Sequence, residues 1–369
     1  MIVHMKHYQI RAFSLVCLCL ALWTLGCDPE TSVERPVERP VQDLTAWPHE
    51  KLSAYGFFRE PLVNLQPEDG VIPYQVAAPL WADHAGKARF IVLPAGQTIA
   101  VHGDEEWLFP LGSVVIKNFY FSKDLRDEEN SATPIETRLL IMEADGWTGH
   151  TYVWNEELSD ATRKIAGRRV SLSYLDKAGQ AEEQEYVVPN TNQCKDCHEI
   201  QDEMRLLGIV TRQMTRQVIR DGKDQGQISW LAEQGLFGTQ APGPSPSPLV
   251  DPFGDADLDE RARSYLDANC AHCHRDGGNG GPSGLVLLAT ETNPTAYGVC
   301  KGPVAAGPGS GDRHHDIVPG APDRSIIIYR MESADPEIKM PEIPNRLPHE
   351  AGVELISEWI RGLPSAQCQ

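Results

Sequence analysis

The sequence predicts an α+β, multidomain chain: an antiparallel β-rich, sandwich-like domain followed by mainly α-helical domains. Three observations predict it. Six short β-branched or alternating runs occupy the first half, amphipathic helical spacing replaces them in the second, and a Pro/Gly-rich stretch divides that second half. The 369 residues suffice for two or three domains, and a formal net charge of −19 excludes a nucleic-acid partner and favours basic ones.

The β-rich domain is expected over residues 46–189. Its runs are RFIVLP (Arg89 to Pro94), SVVIKNFYF (Ser113 to Phe121), TRLLIM (Thr137 to Met142), HTYVW (His150 to Trp154), RVSLSYL (Arg169 to Leu175) and EYVVP (Glu185 to Pro189). Each is bounded by Gly, Pro, Asn or Asp, as hairpin strands are. Residues 190–240 then read as helical, through MRLLGIVTRQMTRQVI and ISWLAEQGLF, and Ala241 to Gly254 is the linker. Over residues 255–369, ADLDERARSYLDANC and PHEAGVELISEWIRGL are further helices, the second with Leu355, Ile356, Trp359 and Ile360 on one face.

The N-terminus carries a basic start (Lys6, Arg11) and an apolar run from Ala12 to Gly26 that is short for a membrane span, so residues 1–27 read as an export signal. The run ends Thr24-Leu25-Gly26-Cys27, which resembles a bacterial lipobox and makes Cys27 the expected lipidation site; an ordinary secreted chain or an uncleaved anchor is the alternative. Residues 28–45, with ERP twice between Glu34 and Pro40, read as a flexible tether.

The chemistry sits in two CxxCH motifs, Cys194-Lys195-Asp196-Cys197-His198 and Cys270-Ala271-His272-Cys273-His274. Two thiols three apart can each add to a vinyl group of one haem, and the next histidine is then placed to ligate its iron. A redox dithiol or half a zinc site explains CxxC, but neither requires histidine after both second cysteines. The expected cofactors are therefore two covalently bound haems c, attached through Cys194, Cys197, Cys270 and Cys273, with His198 and His274 as axial ligands. With the signal and motif cysteines set aside, Cys300 and Cys368 remain, and an oxidising compartment predicts a disulfide between them.

The distal ligand expected at the second haem is Met340, in Lys339-Met340-Pro341, with Met331 and His349 as alternatives. At the first haem the distal candidates are Met214, His150 and Met142, or the position is open. Tyr265 and Leu266 are expected to meet Leu355 and Trp359, as helices flank the haem in class I cytochromes c. Gly281-Pro282 resembles the loop of that class in which a proline carbonyl accepts the proximal imidazole N–H, and this resemblance implies Pro282 for that role.

The stretches PLWADHAGKARF (Pro79 to Phe90), ADGWTGHTYVWNEE (Ala144 to Glu157), NTNQCKDCH (Asn190 to His198), YLDANCAHCH (Tyr265 to His274) and DIVPGAPDRSIIIYRM (Asp316 to Met331) are similar to those of a family of bacterial di-haem c-type cytochromes, many of them lipoproteins, that join a β-rich region to two haem motifs. The resemblance implies haem binding and electron transfer outside the cytoplasm. The expected protein is periplasmic and lipid-anchored, an electron carrier between a redox donor and acceptor with no catalytic residues of its own. A di-haem peroxidase-like reductase is the alternative. In a third reading the β region docks the cytochrome on a partner.

Overall fold

A computed structural model describes residues 47–101, 106–304, 306–342, 345–364 and 368, all within the unit Val37–Gln369. The expected signal, tether and Cys27 lie outside the described residues.

Six strands form one antiparallel meander in sequence order: β1 (Val71–Tyr74), β2 (Gly86–Val92), β3 (Val114–Ser122), β4 (Ala132–Glu143), β5 (Gly146–Trp154) and β6 (Ala161–Arg163). The short helix α1 (Glu128–Ser131) lies between β3 and β4. Alternation sends successive side chains to opposite faces. One face buries Phe90, Val92, Val114, Ile116, Leu139 and Ile141 under Leu52, Phe57, Phe58 and Leu62 of the preceding segment. The other buries Ile72, Ile91 and Val115 under Trp107, Ile209, Leu231, Leu236 and Phe237. A separate hairpin, β7 (Arg168–Leu175) with β8 (Ala181–Val188), packs through Tyr186 and Val188 on Phe119, Phe121 and Val153. The main sheet is thus covered on both faces, in part by the β7–β8 hairpin.

The expectation of mainly helical haem domains is overturned: helix makes up 23% of the structure and strand 28%. Residues 190–240 hold only short pieces: α2 (Thr191–His198), β9 (Glu199–Ile200), β10 (Glu203–Met204), α3 (Thr211–Met214), β11 (Gln217–Arg220), β12 (Lys223–Gly226) and α4 (Gln227–Glu233). The physical reason is turn chemistry. Asp221 and Gly222 both take positive φ, 51° and 75°, the conformation of a two-residue hairpin turn that Asp-Gly favours, and Gln201-Asp202 does the same between β9 and β10. Among the described residues of 255–369 there are three α-helices, α5 (Leu258–Asn269), α6 (Ile326–Glu332) and α7 (Glu350–Gly362), and between α5 and α6 the chain runs in turns and short 3-10 pieces rich in Gly and Pro. As expected, Tyr265 and Leu266 of α5 share a buried cluster with Leu355 and Trp359 of α7. The Cys300–Cys368 disulfide is present.

The segment before α7 is strapped to the β2 approach. Asp83 is buried, and its carboxylate accepts from the Arg346 amide at 2.8 Å and the Leu347 amide at 2.9 Å. The Trp81 amide donates to Asn269 Oδ1 at 2.7 Å, and the Trp81 ring stacks on His349 at 4.0 Å between centroids. Burial pushes the His349 imidazole down to about 4. The unfolded chain therefore binds a proton near pH 6.5 that the folded chain refuses until about 4.

Two outcomes follow for stability. Acidification from pH 7 to 4.5 will lower the urea midpoint of the wild type, and the loss will be smaller in His349→Phe, which keeps the stack but cannot titrate. Replacing both Cys300 and Cys368 by Ser will cost about 4 kcal/mol, judged from a loop of 68 residues, and guanidinium denaturation will measure it.

Candidate functional site

The first CxxCH motif lies on a helix that its own flanks start. The Asn190 side chain accepts from the Gln193 amide at 2.9 Å, and Gln193 Oε1 accepts from the Asn190 amide at 3.0 Å, a reciprocal cap. One helical turn then places Cys194, Cys197 and His198 on one face. All three line a cavity of about 930 Å3 between this helix and the sheet, at the upper end of the range for small-ligand sites.

The His198 ring is fixed through Nδ1, which donates to the Arg205 carbonyl at 2.8 Å. A carbonyl only accepts, so the proton sits on Nδ1 and the Nε2 lone pair is left for a metal. Burial, acting against that hydrogen bond, pushes the imidazole down to about 3, which keeps it neutral. Burial also raises Cys194, so both it and the more strongly raised Cys197, which hydrogen-bonds Cys273, stand as thiols.

The second motif follows the last turn of α5 directly. Cys270, at φ −130°, ends α5, and its carbonyl accepts from the Cys273 amide at 3.1 Å and the His274 amide at 2.9 Å, so the motif folds into tight turns beyond the helix. His274 Nδ1 lies 3.2 Å from Ser283 Oγ, and that hydroxyl donates onward to the Gly280 carbonyl, so here too Nδ1 carries the proton. The hydrogen bond found for this ring thus goes to the residue after Pro282, by a hydroxyl in place of the expected carbonyl. Burial lowers His274 to about 4 and raises Cys270 to about 12. Met340 and Cys270 face one point, together with Tyr265 and His349, but the cavity they share is only about 20 Å3, room for a single water.

The two motifs abut, which the sequence spacing does not reveal. Cys197 Sγ, Cys273 Sγ and a ring nitrogen of His272 lie within 4.8 Å of one another. Asn279 Nδ2 donates to the Asp196 carbonyl at 2.8 Å, and the Gln201 amide to the Gly277 carbonyl at 3.2 Å. Ala271 and His272 share the wall of the large cavity with the first motif.

Of the first-site distal candidates, His150 lines the large cavity, while Met142 packs at the edge of the core. Met214 is fully buried in that core, its sulfur 3.9 Å from Gln227 Nε2, and is not among the cavity-lining residues.

Tested against a haem, the first motif fits: two thiols, an imidazole with a free Nε2 and a large cavity meet. The second has the donors but not the room between Cys270 and Met340.

Sequence reasoning missed the opposite wall. Tyr74, Arg89, Lys117, Arg138 and Thr151 are successive cross-strand partners over β1 to β5, and all five line the cavity. The signal was present as one basic residue within each of three otherwise apolar or neutral runs. Comparison with protein-family models, curated proteins and solved structures gives no match.

Proposed function

We propose that the chain is an exported, lipid-anchored di-haem c-type cytochrome that passes electrons between a redox donor and acceptor outside the cytoplasm. The observation that carries it is the joint presentation of Cys194, Cys197 and His198 to one 930 Å3 cavity, with His198 Nε2 free because Nδ1 is held by Arg205. When bound, haem supplies one-electron iron chemistry. The chain's part is to offer two thiols for attachment, hold a neutral imidazole at a set angle and shield the pocket from bulk water. The repeat of the motif at Cys270, Cys273 and His274 supports a second attachment site, while the space of about 20 Å3 between Cys270 and Met340 does not support Met340 as its distal ligand.

Export is supported by the apolar run ending at Cys27 and by the Cys300–Cys368 disulfide, a bond that oxidising compartments sustain. Among the described residues no helix is long and apolar enough to cross a membrane. The proposed attachment is through lipidation of Cys27. A second reading, a reductase that binds peroxide at an open first haem, is favoured by the burial of Met214 away from the cavity. Carbon monoxide binding to the reduced native protein separates it from the carrier.

Expressed with haem-attachment machinery, the protein will give two haems per chain in a pyridine haemochrome assay, with matching intact mass. Cys194→Ala with Cys197→Ala, or Cys270→Ala with Cys273→Ala, will each reduce the count to one. A colourless wild type at the mass of the bare polypeptide refutes the proposal.

A further inference from the structure

The wall of the large cavity opposite the first motif carries charge that the chain itself does not neutralise. Arg89 on β2, Lys117 on β3 and Arg138 on β4 are directly opposed in register. Side chains so placed on one sheet face are near neighbours, and like charges in that position repel. Removing them from bulk water adds a desolvation cost that only a counter-charge offsets. Three adjacent cations on an inner face are therefore an unfavourable arrangement for folding alone.

Compensation from the chain reaches one of the three. Arg138 binds Glu136, with Nη2 to Oε1 at 2.6 Å and Nε to Oε2 at 2.9 Å. Glu136 is fully buried and also accepts from the Tyr186 hydroxyl at 2.7 Å, so its charge is already engaged. The side chains of Arg89 and Lys117 form no hydrogen bond or ion pair among the described residues; the Lys117 ammonium lies 5.1 Å from the centre of the Phe119 ring. Burial, then Arg89 and Arg138, bring Lys117 down to about 7. The cavity as a whole has the opposite sign to the chain. Lys and Arg outnumber Asp and Glu on its walls nine to four, while the sequence has 33 basic and 52 acidic residues.

We propose that Arg89 and Lys117, flanked by Arg138, form a carboxylate-binding site that holds the acid groups of the molecule occupying this cavity. The inference rests on the haem reading in its first form: the carboxylates are the two propionates of a haem attached at Cys194 and Cys197. A free small dicarboxylate has the same chemistry and is the other source. In either case the site supplies two cations on a rigid sheet, while the helix α2 supplies the thiols and imidazole from the facing side.

The test uses the intact haem-loaded protein, in wild-type form and as Lys117→Gln, Arg89→Gln, Lys117→Arg and, as a surface control, Lys223→Gln. Haem is labelled with 13C at the propionate carboxyls by feeding labelled 5-aminolevulinate, and the labelled carboxylate bands are read by redox difference infrared spectroscopy. Succinate is titrated into the same samples by calorimetry. If the propionates are held, a labelled band shifts in Lys117→Gln and in Arg89→Gln, returns toward its wild-type position in Lys117→Arg and stays fixed in Lys223→Gln. If a free dicarboxylate is held, succinate binds the wild type and both Gln variants lose at least tenfold in affinity, with the band unmoved. An unmoved band together with no succinate binding, or with binding the variants do not change, overturns the site. A haem count of zero instead defeats the cytochrome reading, and the succinate titration then decides the carboxylate site by itself.

Discussion

A six-stranded meander has two faces, and neither can be left to water when both carry Ile, Val and Phe. The cover on the second face is the interaction on which the rest depends. Trp107, Ile209, Leu231, Leu236 and Phe237 lie against Ile72, Ile91 and Val115, and this packing draws residues 206–237 onto the sheet. Apolar contact of this kind is non-directional and scales with the area removed from water. It brings the cover down at one end of the strands only. Two residues further along β2 and β3, on the same face, the side chains change from Ile91 and Val115 to Arg89 and Lys117, and there the surfaces part to form the cavity. The motif helix at Thr191–His198 closes the other side of that space.

Within the space, burial acts in opposite senses on the two kinds of basic group. Imidazoles are easily kept neutral, so His198 gives up its proton and becomes a ligand. Arginine does not give up its charge, and Arg89 and Arg138 keep theirs. The result is a pocket with neutral donors on the helix side and fixed positive charge on the sheet side. A chain with a formal charge of −19 has placed part of its positive charge inside.

The strands were legible because alternation and bounding turn residues act locally: each of the six runs read as strands overlaps one of β2 to β5, β7 and β8. In residues 190–240 ISWLAEQGLF was read correctly as helical, as α4 shows, whereas MRLLGIVTRQMTRQVI keeps only the turn of helix α3 because Asp221-Gly222 and Gln201-Asp202 beside it impose hairpin turns that spacing does not register. Asp-Gly was the readable warning; Gln201-Asp202 carried none. Met214 looked like a free thioether and is a core residue, a distinction set by tertiary packing. The thiols of both motifs were identified in sequence, but their approach to within 4.8 Å depends on how the two chain segments dock. The cation row escaped notice because each member is a single residue in its own strand. Only register brings the three together.

Two identical five-residue patterns have therefore been given different settings. His198 hydrogen-bonds to a backbone carbonyl, a fixed acceptor, whereas His274 hydrogen-bonds to a hydroxyl whose own proton is committed to Gly280. Acceptor strength at Nδ1 controls how basic the opposite nitrogen is, and hence how strongly it donates to a metal. One histidine faces a wide cavity walled by cations, while the other is not among the residues lining either cavity. In the proposed cytochrome, the carbonyl-anchored His198 would be the more basic of the two imidazoles and so the stronger donor to a metal. The fold thus makes the two motifs unequal while bringing Cys197 Sγ and Cys273 Sγ within 4.8 Å of each other.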